Sequence, residues 1–130
     1  MTRKLRILLA KFGDGYEGAM LKLARNCSEA GFEVIYTDVQ EPEAIVASAI
    51  QESVDHVGIT TLPGATVESF RKLFELLAKE GVTDIRVTAG GIFPDEDIAK
   101  IRVMGLLDFY PRNAIYDKIA QWRAVYAENP

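Results

Sequence analysis

The sequence has 130 residues, which suits one domain and leaves no room for two. Hydrophobic residues make up 48% and charged residues 26%, so disordered and fibrous classes drop out. The net charge of −4 comes from 15 basic and 19 acidic residues, and the basic ones are too scattered to make a nucleic-acid footprint.

No apolar run approaches the roughly 20 residues that a membrane helix needs. At the N-terminus, basic residues precede an apolar stretch, but residues 7–10 are far shorter than a signal-peptide core and Lys11 interrupts them. The stretch reads as a first strand, residues 5–10. A helical pattern follows over residues 18–30, with Met20, Leu21, Leu23, Ala24 and Cys27 apolar and Gly31 placed to end it. Residues 33–37 form a second strand pattern. Pro42 then opens a helix over residues 43–52, with Ile45, Val46, Ala49 and Ile50 on one stripe. The third strand is expected at residues 56–61, and a helix at 67–80 carries Phe70, Leu73, Phe74, Leu76 and Leu77. A fourth strand at 85–89, a helix at 95–104 after Pro94, and a short fifth strand at 106–110 come next. A closing helix at 114–126 is amphipathic through Ile115, Ile119 and Trp122.

Continuous apolar runs, rather than strict alternation, suit parallel strands covered on both faces. The expectation is a soluble α/β chain forming a single doubly wound, flavodoxin-like domain over residues 1–130. Its five-stranded parallel sheet takes the order 2-1-3-4-5, with helices on both faces. In such a sheet a ligand sits over the carboxyl ends of the strands. The lone Cys27 cannot form an internal disulfide and reads as a buried helix residue, which fits a reducing cytoplasm. One Cys and one His cannot supply a structural zinc site. The single histidine, His56, belongs near the start of the third strand, where a packed core side chain is expected.

Only the loops after the strands are expected to hold a site, and two familiar users of this strand order fail on them. A phosphate-accepting receiver needs an Asp ending the third strand, where this chain has Thr60, Thr61 and Leu62. A flavodoxin cradles its phosphate with a hydroxyl-rich first loop at a helix N-terminus, and KFGDGYEG contains no Ser or Thr. Two glycines at positions 90 and 91, ending the fourth strand, permit close approach by a large planar or nucleotide-like group.

From residue 4 to 125 the chain resembles the cobalamin-binding domain of adenosylcobalamin-dependent mutases, especially the small subunit or C-terminal domain of methylmalonyl-CoA mutase. The segments ILLAKFGDGYEGAMLKLAR, AGFEVIYTDVQEPEAIVASAIQESVDHVGITTLPGA and VTAGGIFPDEDI carry the likeness. The family's D-x-H-x-x-G loop corresponds to a shortened D-G-Y-E-G. Its Asp matches Asp14 and its Gly matches Gly18, while the cobalt-ligating His falls on Tyr16. S-x-L becomes Thr60-Thr61-Leu62, and the family's glycine pair is intact as Gly90-Gly91, followed by Ile92, Phe93 and Pro94. A glycine-rich turn after the fifth strand is replaced by Tyr110-Pro111-Arg112-Asn113.

The resemblance implies a cofactor-binding set of Asp14, Gly15, Tyr16, Gly18, Thr60, Thr61, Leu62, Gly90, Gly91 and Phe93, with no catalytic residue and no protein metal ligand. It implies adenosylcobalamin as cofactor, a nucleotide-tail pocket between the third and fourth strand loops, and a larger catalytic mutase subunit, a barrel, as partner. Tyrosine stays protonated near neutral pH, its ordinary pKa being about 10, and is a poor cobalt ligand. Cobalamin is then expected with its own base attached, or with no lower protein ligand. Two functions stand side by side: a cobalamin-binding small subunit of an acyl-CoA mutase-type isomerase, and a degenerate relative that has lost the cofactor and serves a structural or regulatory role. In the second, bulky Tyr16, Phe93 and Tyr110 fill the space the cofactor would take.

Overall fold

The apolar runs become the strands of one sheet. The computed structural model describes residues 4–15, 17–38, 41–111 and 114–119. In chain order the elements are β1 (Arg6–Phe12), α1 (Glu17–Glu29), β2 (Glu33–Tyr36), α2 (Pro42–Gln51), β3 (His56–Thr61), α3 (Val67–Lys79), β4 (Arg86–Gly91), α4 (Asp95–Met104), β5 (Asp108–Pro111) and a 3-10 turn at Ala114–Asp117. All strand pairs are parallel, and the sheet order is β2-β1-β3-β4-β5. This is the flavodoxin-like arrangement the sequence predicts. The rest of the expected closing helix, beyond residue 119, lies outside the described residues.

The inner strand β1, between β2 and β3, is sealed on both sides: Ile7, Leu8, Leu9 and Ala10 are all fully buried. Successive side chains point to opposite faces, so two separate cores form. One face gathers Leu8, Ala10 and Phe12 with Val57, Ile59, Val87 and Ala89, covered by residues of α2, α3 and α4 such as Ala49, Phe70 and Ile101. The other gathers Ile7 and Leu9 with Met20, Leu23 and Cys27 of α1 and with Ile115 and Ile119. Local chemistry fixes the helix starts. Pro42 occupies the first position of α2, and the Thr66 hydroxyl accepts the Ser69 N–H at 3.3 Å to cap α3.

Two strands run further than their apolar stretches. β1 continues through Lys11 and Phe12 because these residues still pair with Thr60 and Thr61 of β3. β4 continues through Gly90 and Gly91, paired with Tyr110 and Pro111 of β5. The glycine pair is therefore part of the sheet, not of the loop after it. Pro111 is tolerated there because β5 is an edge strand. No described helix is long and apolar enough to cross a membrane.

Candidate functional site

A cleft of about 430 Å³ opens on the α1 side of the sheet, over the carboxyl halves of β3 and β4. Strand alternation explains its position. Gly58 and Thr60 of β3 point to this face, as do Thr88 and Gly90 of β4, and the register sets Gly58 beside Thr88 and Thr60 beside Gly90. Two of these four positions carry no side chain, so backbone lies bare where a parallel sheet normally has Val or Ile. Ala19 and Leu23 of α1 and Ile115 form the opposing wall. Leu62, Pro63 and Ile92 stand at the carboxyl edge, and Ile92 is 75% exposed.

Beneath the cleft, Thr88 shares a 2.7 Å hydrogen bond between its hydroxyl and His56 Nε2. His56 is fully buried at the start of β3, as the sequence implies. Burial, aided by the Arg86 cation and opposed by Asp55, pushes its pKa down to about 3, so the ring is neutral. It sits four residues before Thr60, roughly 13 Å along the strand, and cannot serve as a ligand at the carboxyl edge. Cys27 is buried in α1, and burial pushes its thiol up to about 12.

The edge loops are fastened to one another. The Asp14 N–H donates to the Pro63 carbonyl at 3.0 Å, and the Leu62 N–H donates to the Phe12 carbonyl at 2.9 Å. Gly13 has φ +99°, and a Cβ there would stand 2.4 Å from the Leu62 carbonyl oxygen. Gly91 has φ +116°, and its Cβ would stand 2.5 Å from the Thr61 carbonyl oxygen. Both positions need glycine for conformation and for space. The Thr61 hydroxyl, buried, donates to the Gly90 carbonyl at 2.9 Å, so Thr61 ties β3 to β4.

The structure thus brings together Thr60, Thr61, Leu62, Gly90 and Gly91 of the expected set. Asp14, Gly15 and Gly18 are exposed beside the edge and do not line the cleft. Tyr16 lies outside the described residues, as do Arg112 and Asn113. Phe93 departs from expectation. It packs against the core on the other face of the sheet, its ring 5.8 Å from Phe70 and 6.5 Å from Phe109. Its immediate neighbour Ile92 meets the cleft instead, because adjacent residues of the extended chain face opposite ways. Tyr110 is buried in the α1-side core and is not part of the cleft lining.

Gly58, Thr88, Ala19, Leu23 and Ile115 escape a reading confined to loops. The signal for the first was available: a glycine inside a buried strand marks a close approach to backbone. Thr88 follows from it only through the pairing of β3 with β4.

The sequence profile of the B12 binding domain matches residues 6–115. The 2-hydroxyisobutanoyl-CoA mutase small subunit of Aquincola tertiaricarbonis is 44% identical over 121 residues, covering 88% of this chain and 89% of that protein. The pivalyl-CoA mutase small subunit of Xanthobacter autotrophicus is 32% identical over 92% of this chain and 82% of its own length. The methylmalonyl-CoA mutase large subunit of Propionibacterium freudenreichii is also 32% identical, and there the match spans 16% of the longer protein. Among solved structures, a cobalamin-binding protein from Desulfitobacterium hafniense superposes with a TM-score of 0.77 at 22% identity, over 94% of this chain and 59% of that one. The NarL receiver domain of Mycobacterium tuberculosis superposes at 0.71 and 13% identity over 99% of this chain and 100% of that domain; both likenesses speak for the fold alone. With the profile spanning every strand of the sheet, the chain belongs to the B12 binding domain family.

Proposed function

We propose that this chain is the cobalamin-binding small subunit of an acyl-CoA mutase-type isomerase and presents its cofactor to a larger catalytic subunit. The observation that carries the reading is the cleft whose floor is bare backbone at Gly58 and Gly90, flanked by the hydroxyl residue Thr60. Such a floor suits a flat heteroaromatic group that stacks on peptide planes, with a sugar nearby to meet hydroxyls. The nucleotide tail of cobalamin has this chemistry. Phe93 is packed away on the opposite face and leaves the cleft open, which weighs against the degenerate reading.

The residues fit the tail and do not fit a histidine-ligated cobalt. The chain's one imidazole is buried, neutral and bonded to Thr88 at the far end of β3. The proposed cofactor therefore binds with its own base attached, or without a lower ligand from the protein. Adenosylcobalamin supplies radical chemistry when bound; this chain contributes the tail cleft, the fastened edge loops and a rim that faces the partner. A barrel partner and a cytoplasmic location belong to the same proposal.

The test is retention of the corrinoid. The protein is incubated with adenosylcobalamin or hydroxocobalamin, desalted, and examined by visible absorption. A retained base-on spectrum supports the reading, and protein emerging free of corrinoid overturns it.

A further inference from the structure

Lys11 is a cation in an unusual place. It lies in the inner strand β1, and only 7% of its surface is exposed. Its Cα partner in β3 is Thr60, so the two side chains leave the same face of the sheet about 4.8 Å apart, and Thr60 is in the cleft wall. Helix α1 begins shortly after β1 and covers this face through Met20, Leu23 and Cys27, which pack on Ile7 and Leu9.

Nothing described in the chain balances this charge. Among the described side chains none forms an ion pair with Lys11. Yet the ammonium is not sealed off, since among the described residues no fully buried side-chain nitrogen lacks a partner. Lys11 itself is not in the cleft lining; it adjoins the cleft through Thr60, its partner in the sheet. A cation largely withdrawn from water and next to a ligand cleft calls for an anion on the ligand.

We propose that Lys11 holds the phosphodiester of a nucleotide tail seated in the cleft. The inference rests on the cobalamin reading and deepens it. In cobalamin the phosphodiester joins a side arm of the corrin to the ribose of the lower base. A nucleotide held in the cleft would bring that single tail anion near Thr60, and Lys11 beside Thr60 in the sheet would supply the balancing charge.

The test compares cyanocobalamin with dicyanocobinamide, which lacks the nucleotide and its phosphate, in the full chain and in Lys11→Met and Lys11→Arg. Lys11→Met should weaken cobalamin binding about tenfold and leave cobinamide binding unchanged, while Lys11→Arg restores most of the loss. In the unsubstituted chain, added salt should weaken cobalamin binding and spare cobinamide, a readout independent of whether Lys11→Met folds. Equal effects on both corrinoids, or no salt dependence for cobalamin, overturn the assignment of Lys11. An unsubstituted chain that binds neither corrinoid overturns the cobalamin reading itself, and the two failures are told apart by that control.

Discussion

A side chain added at Gly58 tests the cleft floor with little damage to the fold. Its ideal Cβ would stand 3.1 Å from Leu9 Cδ2 and 3.9 Å from Thr88 Oγ1, and the nearer atom is the end of a side chain that can turn aside. In Gly58→Val, relieving that contact costs about 1–3 kcal/mol of overpacking, set against about 0.5–1 kcal/mol gained by replacing glycine within a strand. The net loss, about 1–2 kcal/mol, is smaller than the usual 5–15 kcal/mol of a domain, so the protein should fold with a Tm several degrees lower. Binding should suffer far more. An isopropyl group on the floor lifts a stacked ring off the backbone, and losing about 100 Å² of burial at roughly 25 cal/mol per Å² removes about 2.5 kcal/mol. That corresponds to a fall of roughly a hundredfold in affinity. Absorbance titration with hydroxocobalamin measures it, and a thermal melt monitored by circular dichroism gives the stability of the same sample. A folded Gly58→Val that binds with unchanged affinity would refute the placement of the nucleotide on this floor.

Gly91→Ala should act in the opposite sense, on the fold itself. Its Cβ meets the Thr61 carbonyl oxygen at 2.5 Å in a left-handed backbone, so a loss of about 3 kcal/mol or more is expected in urea unfolding, well above the loss for Gly58→Val. His56 predicts a pH dependence. Its pKa is about 3 in the folded chain against an ordinary 6.5, so the unfolded chain takes up the proton first. Its contribution is complete above pH 6.5 and declines by about 1.4 kcal/mol per unit as pH falls from there toward 3. Urea midpoints across that window should show the slope, and His56→Gln should flatten it. Cys27, buried and with its pKa raised to about 12, should resist an aromatic disulfide reagent at pH 8 and react once the protein is denatured; prompt reaction of the folded protein contradicts its burial.

The strand order is legible because apolar runs alternate with helical patterns; β1 is apolar on both faces at residues 7–10, while β3 and β4 are apolar on the rear face through Val57, Ile59, Val87 and Ala89. Strand ends were less legible. Lys11 breaks the apolar run of β1, and Gly90-Gly91 looks like the start of a loop, yet both belong to the sheet because hydrogen bonds to neighbouring strands continue. No local pattern reports such pairing. The carboxyl-edge motif Thr60-Thr61-Leu62 could be found by its position, whereas the partition of its members could not. Thr60 opens to the cleft, and Thr61, one residue later, is spent on the Gly90 carbonyl. Phe93 follows the same rule: one residue's shift along an extended segment moves a side chain from one face to the other, and Ile92 takes the cleft side.

The sheet works as a partition between two different duties. Behind it, the larger core of Phe12, Phe70, Leu73 and Ile101 is closed by three helices and carries most of the apolar burial. In front, α1 and the residues after β5 cover a smaller core that includes the cleft. Cargo can therefore be altered by rewriting a few front-face positions, among them Gly58, Thr88 and Ala19, while the rear layer that holds the molecule together stays untouched. A scaffold divided in this way is free to exchange what it carries without first solving its folding again.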